Sequence, residues 1–163
     1  MRRLLAAAFV FCASAGSAAA QVHIVPTVGL DAGYEAPLAG IAVETGVGRL
    51  PVTVRPGVEV VLPSAFAEDI SDTPVVRVAV DVLARLNAAN VPNTPYGIVG
   101  VAAERERRET FSGAERAVLD TLTDRVGFGV RAGAGLRLGR FVAEATLGAG
   151  GAGRGRVVVG LRF

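Results

Sequence analysis

The chain has 163 residues, of which 17 are basic, 15 are acidic and 51% are hydrophobic, and it holds one cysteine and no tryptophan. That length accommodates one domain, and a mean hydropathy of +0.46 is high for a protein that stays in water. All the basic residues are arginine; once Arg2 and Arg3 are set aside with an N-terminal leader, 15 of each sign remain, which leaves no basic excess for nucleic-acid phosphates.

Residues 1–20 read as a cleavable secretory signal. Met1-Arg2-Arg3 is a short cationic start, residues 4–15 are an apolar run too short to span a bilayer, and Ala18-Ala19-Ala20 suits cleavage before Gln21. Phe11 before Cys12 is too bulky for lipoprotein processing. Cleavage removes Cys12, the single cysteine, so the mature chain has no disulfide or thiol chemistry. No later stretch approaches the ~18 consecutive apolar residues of a membrane helix. Residues 21–163 are therefore expected to form one barrel domain.

From residue 22 onward the dominant pattern is alternation with period two, the signature of strands with two unlike faces. Eight strands are expected. The first covers 22–34, with Val22, Ile24, Pro26, Val28, Leu30 and Tyr34 on the apolar face. The second, 38–49, sets Ile41, Val43 and Val47 against Gly40, Glu44, Gly46 and Gly48. The third, 51–62, opposes Val52, Val54, Val58, Val60 and Leu62 to Thr53, Arg55, Gly57 and Glu59. The fourth, 75–86, carries alternate valines against Arg77, Asp81 and Arg85. The fifth, 95–105, opposes Val99, Val101 and Ala103 to Gly100, Ala102 and Glu104. The sixth, 126–138, is the most regular, with Val126, Phe128, Val130, Ala132, Ala134, Leu136 and Leu138 against glycines, Arg131 and Arg137. The seventh is 140–149, with Phe141, Ala143, Ala145 and Leu147 against Glu144 and Thr146. The eighth is 156–163, with Val157, Val159, Leu161 and Phe163 against Val158, Gly160 and Arg162.

Connections alternate in length. Breaks at Arg49-Leu50-Pro51 and Gly139-Arg140 share one end with 87–94, while 35–37, 63–74, 106–124 and 150–155 share the other. Short turns inside, longer loops outside and an even strand number describe a membrane barrel. Ser112 and Glu115 have capping-box spacing, which predicts a short helix over 112–122 in the third outer loop.

Alternation alone fits either a lipid-facing wall or a soluble barrel with an apolar core. Three observations favour lipid, and the first is the polar face. It carries Asp31, Glu44, Glu59, Asp81, Glu104 and Glu144 with Arg55, Arg77, Arg85, Arg131, Arg137 and Arg162, interleaved with glycine. Glycine weakens a solvent-facing strand, but a narrow interior needs small residues beside large charged ones, and buried charges need opposite partners. Tyr34 and Phe128 near the outer ends, and Phe141 and Phe163 near the inner ends, suggest two sparse aromatic girdles. Tyr96 falls on the polar parity unless a bulge shifts it.

The chain ends in Val157-Val158-Val159-Gly160-Leu161-Arg162-Phe163. This ending resembles the assembly signal of bacterial outer-membrane proteins, with Val159, Gly160, Leu161 and Phe163 in the matching places. Val54-Arg55-Pro56-Gly57-Val58-Glu59, Pro95-Tyr96-Gly97-Ile98-Val99-Gly100 and Gly133-Ala134-Gly135-Leu136-Arg137-Leu138-Gly139 extend the likeness to the small outer-membrane β-barrel family with opacity-type, OmpX-like and OmpA-type domains. The chain departs from it in having no tryptophan and little tyrosine. The resemblance implies insertion by the barrel-assembly machinery, and structural or surface roles such as envelope integrity or adhesion through the loops.

Candidates for chemistry are few. A Ser-His-acid triad needs its members together; His23 opens strand one, whereas Ser64, Ser71 and Ser112 fall in outer loops. One histidine and no mature cysteine make a poor metal set, and Glu68, Asp69 and Asp72 read as a solvated acidic loop. Gly148-Ala149-Gly150-Gly151-Ala152-Gly153-Arg154-Gly155 lacks the Lys-Ser/Thr ending of a phosphate loop. The run Glu104-Arg105-Glu106-Arg107-Arg108-Glu109 could meet lipopolysaccharide phosphates at the membrane edge. The sequence thus predicts an all-β, eight-stranded, antiparallel up-and-down transmembrane β-barrel. It is expected to be monomeric, non-enzymatic and without cofactors, touching outer-membrane lipid and lipopolysaccharide. A narrow channel or carrier for small solutes or apolar molecules is the alternative.

Overall fold

Eight runs of alternating residues become eight strands. The computed structural model describes residues 21–47, 50–62, 74–86, 93–109, 122–151 and 155–163. The strands are β1 (Val22–Asp31), β2 (Ala36–Gly46), β3 (Val52–Val61), β4 (Val75–Arg85), β5 (Asn93–Glu109), β6 (Leu122–Leu138), β7 (Phe141–Gly150) and β8 (Gly155–Leu161). Each pairs antiparallel with its neighbours in sequence, and β8 pairs with β1, so the sheet closes into an up-and-down barrel. Closure leaves no strand edge unpaired, which matters wherever water cannot satisfy the backbone.

The barrel has two unlike ends. At the loop end β1 passes to β2, β3 to β4, β5 to β6 and β7 to β8. At the terminal end lie the start of β1, the end of β8 and the other three connections. There the two termini are tied by a pair of backbone bonds, Ile24 N to Phe163 O (3.2 Å) and Phe163 N to Ile24 O (3.0 Å).

Period-two alternation sets the two faces. Val76, Val78, Val80 and Val82 of β4 stand outward and exposed, while Val75, Arg77, Ala79, Asp81 and Leu83 between them are buried. The outer wall is apolar all round: Phe128 is 72% and Leu147 77% exposed, whereas Arg77 is 1% and Glu44 0%. Inside, Ala36, Leu38, Val61, Val75 and Val158 cluster toward the loop end, and Leu83, Tyr96 and Ile98 toward the terminal end. The charged residues lie among these apolar groups, so the interior is mixed and not purely ionic.

Several expectations are corrected. The β1–β2 turn occupies residues 32–35, earlier than 35–37, because Asp31 Oδ1 accepts from the Gly33 and Tyr34 amides (2.9 and 3.1 Å) and Glu35 adopts φ 49°. That turn swings Tyr34 inward onto the Ala36–Leu38 cluster, so it is no part of an outer girdle. Phe128, Phe141 and Phe163 do point outward. β5 and β6 run past the expected 95–105 and 126–138, pairing through Glu109↔Leu122. A ladder is held by main-chain hydrogen bonds and outlasts the apolar pattern. The helix expected over 112–122 falls outside the described residues except at Leu122, which starts β6. Gly148 to Gly150 belong to β7 and not to a loop.

Candidate functional site

The inward charges are brought together by register. Arg55 stands opposite Asp81 and Glu59 opposite Arg77 on β3 and β4, and Arg77 is opposite Glu104 on β5. Across the lumen, Arg55 clamps both oxygens of Glu144 on β7 and donates to Asp81 Oδ2 at 3.0 Å. Arg131 holds both oxygens of Asp81 (2.7 and 2.8 Å) and reaches Glu59 Oε1 at 3.0 Å. Arg77 donates to Glu104 Oε2, Asp31 Oδ2 and Glu59 Oε2 at 3.0, 2.8 and 3.3 Å. Each buried guanidinium thus meets at least two carboxylates, the condition under which charges survive out of water.

Nearer the terminal end the pattern changes. Arg137 Nη2 and Arg162 Nε both donate to Glu44 Oε2 at 2.9 Å, while Arg55 is 3.9 Å from the other oxygen. Arg85 is a correction. It keeps the inward parity, but as the last residue of β4 it is exposed, because its long side chain reaches water at the open mouth.

Three members of the network escaped the sequence reading. Arg156 donates to Glu59 and, at 3.3 Å, to Thr146 Oγ1; it shares the parity of Val158 and Gly160, and that was the available signal. Tyr34 Oη donates to Glu104 at 2.8 Å. Tyr96 is inward and buried with no bulge in β5, and its hydroxyl donates to Glu144 Oε1 at 2.7 Å. Its ring lies over Gly135 of the paired strand, where a Cβ would stand 2.6 Å from the phenol oxygen. Glycine there makes room for the aromatic.

The remaining candidates are dispersed. His23 Nδ1 donates to Phe163 O at 3.0 Å, which fastens the start of β1 to the end of the chain. Ser64, Ser71, Ser112, Glu68, Asp69 and Asp72 lie outside the described residues. Among the described residues no His/Cys/Asp/Glu group could hold a metal ion. The cavity between Arg55, Glu59, Asp81, Arg131, Glu144 and Arg156 measures about 10 Å³, room for a single water. Of the C-terminal residues, Val159, Leu161 and Phe163 face outward. Gly160 faces inward, where a Cβ would meet Pro26 O at 2.5 Å.

No family model matches the chain, and no curated protein matches it. Among solved structures, it is similar to the N-terminal β-barrel domain of OprF from Pseudomonas aeruginosa, with a TM-score of 0.60 and 18% identity over 88% of this chain and 99% of that one. At that identity the likeness is one of fold: a small, closed, eight-stranded β-barrel.

Proposed function

We propose that the chain is an exported, non-enzymatic barrel of the bacterial outer membrane with a structural or surface-interaction role. The observation that carries this reading is the inverted polarity of the barrel. Valine, leucine, isoleucine and phenylalanine cover its outside while arginine and carboxylates fill its inside. In water such a wall would be an apolar patch far beyond the few hundred Å² that soluble monomers tolerate. In a bilayer it is the expected surface, and the closed ladder pairs the strands' backbone groups with one another, as a lipid setting requires.

In this reading residues 1–20 are the export signal and the terminal end faces the periplasm. Val159, Gly160, Leu161 and Phe163 engage the assembly machinery. The loop end faces outward, and the charge run Glu104-Arg105-Glu106-Arg107-Arg108-Glu109 meets lipopolysaccharide phosphates at the membrane edge. The small interior cavity favours a filled barrel over a carrier. Cell fractionation and gel mobility with and without boiling test the proposal. The protein is expected in the outer-membrane fraction, with a heat-dependent shift. A soluble protein whose mobility ignores boiling would overturn it.

A further inference from the structure

Charge is unevenly divided along the barrel axis. In the middle and toward the loop end, Arg55, Arg77, Arg131 and Arg156 face five acids, Asp31, Glu59, Asp81, Glu104 and Glu144. At the terminal end the balance reverses. Arg137 and Arg162 converge on one oxygen of Glu44, and Arg85, in register with Tyr96, ends β4 at the same mouth. Three guanidiniums against one carboxylate give these four side chains a sum of +2. The connections at this end, 47–51, 86–92 and 139–140, contain no Asp or Glu and add Arg49 and Arg140.

These arginines also have donors to spare. A guanidinium carries five N–H groups in a planar fork. Arg137 spends Nη2 on Glu44, and its Nε is buried with no partner. Arg162 spends Nε on the same oxygen, and the exposed Arg85 side chain has no ion pair among the described residues. Arg137 is held in place, its guanidinium 5.8 Å from the Tyr96 ring centre while the Tyr96 hydroxyl is anchored on Glu144. Oriented, under-used forks with excess positive charge match a phosphate group, which accepts two N–H bonds side by side and is anionic near neutral pH both as a free ion and as a lipid diester.

The geometry points to an oxyanion site at the terminal mouth of the barrel, where Arg85, Arg137 and Arg162, which outnumber the single Glu44 carboxylate, bind a phosphate group. The phosphate arrives either as a soluble ion from the aqueous side or as the headgroup of an anionic phospholipid in the adjoining leaflet; only the second source rests on the membrane reading. The site differs in place and charge from the loop-end arginines proposed to meet lipopolysaccharide.

The test is calorimetric titration of the full chain folded in non-ionic, phosphate-free micelles, first with inorganic phosphate and then with short-chain phosphatidylglycerol. Unboiled gel mobility reports separately whether each variant has folded. Arg85→Gln removes no ion pair among the described residues, so the barrel should fold normally while phosphate affinity falls about tenfold, the worth of one charge-assisted hydrogen bond. Arg137→Gln should lower phosphate affinity likewise, in a barrel where Arg162 still donates to Glu44. Glu44→Gln should raise the affinity, because the competing carboxylate is gone. Binding of inorganic phosphate identifies the soluble source, and binding of the phospholipid alone identifies the headgroup; both support the site. Folded protein that binds neither probe, or binds as tightly in Arg85→Gln and Arg137→Gln, overturns it. So does weaker binding in folded Glu44→Gln, because a phosphate held by these arginines gains free donors and positive charge when that acid is lost.

Discussion

Arg77 is the described basic partner of both Asp31 and Glu104, and it also reaches Glu59. Replacing it with methionine keeps much of the volume and leaves carboxylates facing one another without water. Breaking a buried pair from one side costs about 3–5 kcal/mol, so Arg77→Met should lose about that much in urea unfolding from lipid vesicles. Tyr96→Phe deletes one hydrogen bond to the Glu144 carboxylate and leaves Arg55 clamping it; about 1.5–3 kcal/mol is expected. Losses within about 0.5 kcal/mol for both, the usual result at an uninvolved surface, would show that the network contributes little. The two residues were not equally legible. Arg77 announces itself by alternating with Val76 and Val78. Tyr96 sits on the charged parity, where an aromatic ring looks misplaced until the register sets it against Gly135. Sequence distance hides that register, and it hides equally that Arg156 shares Glu59 with residues on β4 and β6.

On the scale of a strand, what must be tested is which side of the wall meets lipid. Val80, Val101 and Val130 lie side by side at mid-height on β4, β5 and β6, all outward. An arginine at position 101 would stand near the bilayer midplane, where it costs about 2–4 kcal/mol. On the surface of a soluble barrel the same change would fall within about 0.5 kcal/mol. Val101→Arg should therefore lower stability in vesicles by the larger amount, and a negligible loss would place the wall in water. That the strands were legible has the same cause, because two unlike solvents on two faces write period-two alternation into the chain. Strand ends were not. The β1–β2 turn is decided by an Asp31 side chain accepting two amides, and the extension of β5 and β6 by backbone pairing that needs no apolar face. Hydropathy reports neither.

For the whole molecule, closure is the step least visible in sequence, since the β8–β1 pairing joins the two ends of the domain. It follows indirectly: eight consecutive antiparallel strands with one charged face can bury that face only by curling around it. What the curled face contains then bears on whether the barrel conducts. A hydrated ion needs a continuous aqueous path, whereas here Arg55, Arg131 and Arg156 reach across the lumen to Glu144, Asp81 and Glu59. The cavity they leave holds about 10 Å³. Above this layer Leu38, Val61 and Val75 narrow the loop end, and below it Leu83, Tyr96 and Ile98 do the same at the other. To open a path, several ion pairs would have to separate together, each leaving charges exposed to a poorly hydrated interior. Purified barrel that shows its heat-dependent gel shift should therefore give no steady unitary currents in planar bilayers. Reproducible openings from such protein, persisting after reconstitution at low protein-to-lipid ratio, would mean that the interior rearranges in the membrane, and the narrow-channel reading would then replace the filled barrel.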